Sequence, residues 1–120
     1  NDIAQNSGYI SIDDISTNII KMGLLAQKNN IKVVICSVMP VTDIAWNEKI
    51  KNANQKVIEL NQKLISSSKK NNFIYLDYYS KMKDELNSLT YDGLHPNEKG
   101  YIKLNGIIKK SLKGIMNNFN

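Results

Sequence analysis

Two short apolar segments, separated by longer segments of helical periodicity, restrict the fold more than any other feature of this sequence. Residues 31–38 and 73–77 are rich in β-branched or aromatic side chains, a composition typical of buried strands. Apolar residues recur at helical spacing before, between and after these two segments. Strands that alternate with helices predict right-handed crossovers and a parallel sheet with helices on both faces. The sequence therefore predicts an α/β fold.

Helices are predicted over residues 11–30, 46–70 and 97–115, with a short helix over 80–87. Ser11 and Asn97 are the expected N-caps of the first and last helices, because their side chains can accept a backbone N–H. The predicted buried stripe of the first helix is Ile12, Ile15, Ile19, Met22 and Ala26. That of the second is Ile50, Ala53, Val57, Leu60 and Leu64. The last helix is expected to bury Tyr101, Leu104, Ile108 and Ile115.

Functional loops of a parallel sheet follow the carboxyl ends of its strands. The segments at that edge are residues 39–46, 78–96 and, by extension, 1–10. Cys36 lies within the first apolar strand and is predicted to be a buried packing thiol.

Composition excludes several classes of protein. A chain of 120 residues forms one domain, and no apolar run reaches the ~20 residues that span a bilayer. All 16 basic residues are lysines, scattered along the chain, and arginine is the preferred residue for phosphates and guanine edges. We therefore expect no nucleic-acid partner, although the isoelectric point of about 9.3 leaves weak binding as a minor alternative. With one cysteine, no acidic or histidine cluster and no glycine-rich phosphate loop, no metal and no cofactor are predicted.

The chain contains one histidine, His95, and Asp92 precedes it by three residues. A carboxylate at this spacing in a loop can turn back and accept the imidazole Nδ1–H, which leaves Nε2 to act as a base. The alternative is a surface histidine beside an unrelated aspartate. Placement after the last strand and before the last helix favours the first interpretation.

The segment from Asp92 to Tyr101, Asp-Gly-Leu-His-Pro-Asn-Glu-Lys-Gly-Tyr, resembles the last conserved block of the SGNH (GDSL-type) ester hydrolases. Asn1-Asp2 match the end of that family's Gly-x-Asn-Asp block, and Ser37–Pro40 resembles its segment leading into a substrate loop. Residues 73–77 resemble the family's next strand. The likeness runs in order from residue 1 to about residue 115.

This resemblance implies a three-layer α/β/α, flavodoxin-like fold and a carboxylic ester hydrolase acting on a small ester, with acetylated carbohydrate among the candidates. His95 matches the catalytic base, Asp92 its orienting acid and Asn1 the side-chain donor of the oxyanion hole. Pro40 and Trp46 are candidates for the substrate pocket. Trp46 is equally well placed as an apolar staple at the start of a helix.

The sequence departs from the family at the nucleophile, because none of its serines lies in a Gly-Asp-Ser setting. Residues 1–120 are therefore expected to be the carboxyl-terminal part of a single SGNH-hydrolase domain that begins inside the Gly-x-Asn-Asp block. We expect the missing amino-terminal segment, or a second copy of the chain, to cover the open edge of the strand at 31–38. By itself the chain is expected to be inactive. The alternative from another class is a noncatalytic flavodoxin-like binding module.

Overall fold

The computed structural model describes residues 2–42, 44, 47 and 49–117. The first four elements are α1 (Ile12–Lys28), β1 (Val34–Cys36), α2 (Ala53–Lys70) and β2 (Ile74–Leu76). They are followed by α3 (Tyr79–Met82), a 3₁₀ turn (Lys83–Glu85), α4 (Leu86–Leu89) and α5 (Glu98–Asn117). None of the helices in this described part of the chain is both long enough and apolar enough to cross a membrane.

Helix α1 begins where its sequence predicts, because Ser11 Oγ accepts the Asp14 backbone N–H at 3.0 Å. Its buried face differs from the predicted stripe: Gly23 is buried, whereas Met22 is exposed. The reason is the close approach of Phe73, since a Cβ at Gly23 would lie only 2.8 Å from Phe73 Cε2. The aromatic ring occupies the space that a side chain on α1 would need.

The two strands pair in parallel, with Val34 opposite Ile74 and Cys36 opposite Leu76. This confirms the predicted parallel sheet, but both strands are shorter than residues 31–38 and 73–77. The ladder ends after Ser37 because the Asn61 side chain takes both backbone groups of the next residue, Val38.

The prediction that Cys36 is buried is wrong, because its side chain is exposed. Successive side chains of a strand point to opposite faces of the sheet. Ile35 is buried and packs with residues of α1 and α2, so its neighbour Cys36 faces the other side.

Helix α2 begins at Ala53 and not near residue 46. Asn52 has a left-handed backbone (φ +56°), and the Ile50 N–H donates to Asn47 O at 2.9 Å in a separate turn. Ile50 is nevertheless buried, as predicted, because this turn carries it into the same apolar cluster as Ala53 and Val57.

The core consists of two neighbouring clusters. One lies between α1, the sheet and α2 and contains Ile15, Ile35, Leu60, Leu64 and Phe73. The other lies beyond the carboxyl end of β1 and contains Ala4, Val41, Ile44, Ile50, Ala53 and Val57. Ile3 and Val38 pack against both clusters, so the core is continuous up to the edge of the sheet where functional loops were predicted.

Helix α5 is capped as its sequence predicts, since Asn97 Oδ1 accepts the Gly100 N–H at 3.0 Å. Its first turn packs against α4, with Gly100 buried close to the Leu89 carbonyl. Tyr101 is exposed, so the predicted buried face is wrong at this position.

Candidate active site

Asp92 and His95 form the contact that their spacing predicts. His95 Nδ1 lies 2.7 Å from Asp92 Oδ2. The other carboxylate oxygen, Oδ1, accepts the backbone N–H of His95 at 2.7 Å and that of Leu94 at 3.0 Å. The Asp92 side chain therefore closes a tight turn on itself and holds the imidazole ring by one nitrogen.

These hydrogen bonds favour the ionised form of Asp92. Donation from the His95 amide, the His95 ring and the Leu94 amide lowers the pKa of Asp92 to about 2. An ionised carboxylate can only accept, so the proton of the contact resides on His95 Nδ1. Both side chains are open to solvent, 64% exposed for His95 and 41% for Asp92, which leaves the ring accessible to a substrate.

The loop that carries the pair is closed at its base. Thr90 and Pro96 form an isolated antiparallel bridge, and the Tyr91 N–H donates to His95 O at 2.9 Å. Asn97 Nδ2 donates to Ser88 O at 2.9 Å, which joins the start of α5 to the end of α4. The turn therefore rests on two helix ends.

A second loop contacts this turn directly. The Thr42 N–H donates to Gly93 O at 2.9 Å, and the Thr42 side chain lies over the Gly93 Cα, where a Cβ would collide with it. Gly93 also has φ +78°, a backbone conformation that favours glycine. The loop after β1 and the loop after β2 thus meet at the residue between Asp92 and Leu94.

A polar network that the sequence analysis missed holds the loop after β1 against α2. Asn61, which is buried, donates to Val38 O at 2.9 Å and accepts the Val38 N–H at 2.8 Å. Asn54 accepts the Val41 N–H at 3.2 Å and donates to the Tyr79 hydroxyl at 2.9 Å. The sequence feature that could have predicted this network is a polar residue on an apolar helical face, because Asn61 follows the buried Val57 by one turn.

An apolar cavity of about 190 Å³ lies at the same edge. Ile3, Val38 and Leu94 are among its lining residues, and Leu94 immediately precedes His95. Met39 and Val41 also line it, whereas Pro40 between them is buried. The other two predicted site residues, Asn1 and Trp46, lie outside the described residues.

Across the described ranges, no group of three or more histidine, cysteine, aspartate or glutamate side chains could hold a metal ion. The chemistry that the arrangement supports is proton transfer by a histidine whose ring orientation is set by a carboxylate.

Comparisons with known proteins show which family and which solved structures the chain resembles. Residues 1–102 match the GDSL-like lipase/acylhydrolase family. The fold superposes on the crystal structure of a GDSL-like lipase from Bacteroides thetaiotaomicron with a TM-score of 0.87 and 33% identity, over 96% of this chain and 58% of that one. A lipase/acylhydrolase from Enterococcus faecalis, at 20% identity and a TM-score of 0.70, shares the fold over 93% of this chain and 56% of its own.

A curated relative, an acetylxylan esterase from Xylanibacter ruminicola, is 28% identical over 88 residues. The match covers 73% of this chain and 18% of that protein. The chain thus spans little more than half of the solved structures and under a fifth of the curated relative. The shared architecture confirms the predicted α/β fold.

Proposed function

This chain belongs to the GDSL-like lipase/acylhydrolase (SGNH) family, and from that membership we propose that the protein hydrolyses carboxylic esters by a Ser-His-Asp mechanism. The observation that carries the proposal is the 2.7 Å contact between His95 Nδ1 and Asp92 Oδ2. It supplies an oriented base on an accessible loop, which a binding module does not need.

Each group has a defined role in the proposed reaction, and His95 acts first as a base and then as an acid. A serine hydroxyl attacks the ester carbonyl while His95 Nε2 takes its proton, and Asp92 stabilises the resulting imidazolium through Nδ1–H. The Asn1 side-chain amide donates to the oxyanion of the tetrahedral intermediate. His95 then gives this proton to the departing alcohol. In the second half, water attacks the acyl-enzyme carbonyl while His95 takes its proton, and His95 returns that proton to the serine oxygen as the acid leaves.

We place the nucleophile in polypeptide outside these 120 residues, because none of the serines here lies in a Gly-Asp-Ser setting. Residues 1–120 then form the carboxyl-terminal part of one hydrolase domain. Among the described residues β1 pairs with β2 and no other strand, and Cys36 at its end is exposed. The amino-terminal part of the domain, or a second copy of the chain, is the proposed cover of that open edge.

The proposed substrates are small esters, with acetylated carbohydrate as the leading class. Support for this class comes from the acetylxylan esterase among the relatives. The exposure of His95 also fits a bulky alcohol group that remains partly in solvent. Pro40 and Trp46, which fall between β1 and α2 in the sequence, are the proposed contributors to the substrate pocket, although Pro40 is buried and is not among the residues that line the apolar cavity.

Replacement of the histidine tests the function. In the protein that includes the amino-terminal part of the domain, and with it the serine, we expect His95→Ala to lower kcat for p-nitrophenyl acetate by about 10³-fold or more, because the serine loses its base. A fluorophosphonate probe should label the active protein on serine and label His95→Ala far more slowly. Asn105→Ala, on an exposed position of α5, is the matched control and should behave as the unmodified protein. A loss below about tenfold would contradict the role of His95, and absence of both turnover and labelling would favour a noncatalytic module.

A further inference from the structure

Thr90 lies at the base of the Asp92–His95 turn, where it pairs with Pro96. Its side chain is buried, with only 6% of the residue exposed. Thr90 Oγ1 lies 2.7 Å from Leu86 O and 3.1 Å from Gly93 N. The hydroxyl therefore joins the first residue of α4 to the middle of the turn.

The hydroxyl proton can serve only one of these contacts. Leu86 O is an acceptor, so the proton points to it, and a lone pair of Thr90 Oγ1 then accepts the Gly93 N–H. The hydroxyl thereby donates one hydrogen bond and accepts one in a buried place, where an unpaired polar group is costly.

This bond acts on the peptide that links Asp92 to Gly93. Because that peptide is planar and includes the Asp92 Cα, holding its N–H restrains the backbone atom that bears the Asp92 side chain. The carboxylate then meets the Leu94 and His95 amides with one oxygen and the His95 ring with the other. A rotation of the peptide that changes the Asp92 ψ angle would alter the direction of the carboxylate relative to these three donors.

We propose that Thr90 is a positioning residue for ester hydrolysis, whose hydroxyl orients Asp92 and through it the His95 ring. The inference rests on the proposed function for its kinetic consequence, and on the hydrogen bonds of the turn for its structural one. Thr90 does not touch the substrate in this scheme.

Three substitutions distinguish the effect of the Thr90 hydroxyl from the effect of its methyl group. Thr90→Val keeps the shape and removes both hydrogen bonds, whereas Thr90→Ser keeps the hydroxyl and removes the methyl. Thr17→Val, on an exposed position of α1, is the control for the chemical change itself.

The first measurement is kinetic, on the active protein with p-nitrophenyl acetate. We expect Thr90→Val to lower kcat by about 10- to 100-fold, because a misoriented His95 ring increases the distance over which the serine proton must be transferred. KM should stay within about twofold, since ground-state contacts are not removed. Thr90→Ser should recover most of the loss, and Thr17→Val should cause none.

The second measurement does not depend on activity. Nitrogen NMR of the His95 ring at alkaline pH reports which nitrogen carries the proton. The unmodified protein and Thr90→Ser should hold it on Nδ1, whereas Thr90→Val should shift population to Nε2. If Thr90→Val does not fold, Thr90→Ala takes its place with the same expected shift.

The outcomes distinguish the positioning role of Thr90 from the proposed esterase function. An unchanged tautomer and an unchanged kcat in Thr90→Val would overturn the positioning role. Equal losses in Thr90→Ser and Thr90→Val would also overturn it, because they would assign the effect to packing of the methyl group. If His95→Ala retains activity, the proposed function fails, but the NMR result still decides whether Thr90 orients the pair.

Discussion

Asp92 shows how much one residue can organise through short-range contacts. Its carboxylate accepts hydrogen bonds from two backbone amides and from one ring nitrogen, all within the next three residues. Each of these donors favours the charged form, so the pKa falls to about 2 although 41% of the side chain is exposed to water. The same bonds that orient His95 thus keep Asp92 ionised.

The lowered pKa of Asp92 has a measurable consequence. Carbon NMR of its carboxyl group should give a midpoint near pH 2 in the folded protein, against about 3.9 in urea. Because the folded pKa is depressed, the stabilisation from this group is complete above the unfolded pKa and is lost as the pH falls through the folded one. A folded midpoint close to the urea value would mean that the three hydrogen bonds do not form in solution.

At the scale of elements, asparagine rather than glycine ends the two long helices before the strands. Asn30 and Asn72 have φ of +59° and +56°, and each follows the residue that caps its helix. Asparagine tolerates this left-handed conformation better than most residues, which explains why Asn-Asn pairs end α1 and α2. Within a few residues, the chain then enters β1 after Asn30 and β2 after Asn72.

The two loops beyond the strands are joined at Gly93, and this joint predicts a specific sensitivity. Gly93→Ala should destabilise the protein by about 1–2 kcal/mol from the left-handed backbone, with a further cost from collision with Thr42. It should also lower kcat, because relief of that collision moves Asp92. Urea unfolding and ester turnover measure the two effects.

Gly106→Ala is the matched control for this substitution. A Cβ at Gly106 meets nothing within 4 Å, and the residue lies inside α5. Alanine there should therefore stabilise the protein by up to about 1 kcal/mol and leave turnover unchanged. Equal effects of the two substitutions would contradict the close contact between Thr42 and Gly93.

Across the whole molecule, one continuous core supports the site, but this core covers one face of the sheet and leaves the other face exposed at Cys36. Ile35 is buried under α1 and α2, whereas Cys36 on the opposite face is exposed. Several large apolar side chains of the described helices are also exposed, among them Met22, Leu25 and Ile102. Exposed apolar surface and an unpaired strand edge each favour association with further polypeptide.

Light scattering and intact mass spectrometry of the purified material test this expectation. We expect these residues either within a longer polypeptide or in an assembly of more than one chain, because the edge of β1 needs a partner strand. A monomer of 13.6 kDa with a cooperative thermal transition and no companion peptide would refute the proposed cover. Esterase activity of that monomer would refute the external serine.

Features that depend on neighbouring residues could be read directly from the sequence. The Ser11 cap, the Asn97 cap and the Asp92–His95 contact all follow from spacings of a few residues, which backbone geometry converts into fixed distances. Alternation of strands and helices likewise determined the parallel α/β arrangement. These properties do not depend on the path that the chain takes between its elements.

Contacts between distant segments were not readable in the same way. Thr42 over Gly93, Phe73 against Gly23 and the Asn61 bonds to Val38 join residues from separate elements. No periodicity encodes such pairs, because they depend on the relative placement of helices and loops after the core has packed. For the same reason the sequence overestimated the length of β1 and the burial of Cys36. Folding decides how far a strand is paired and which of its faces is covered.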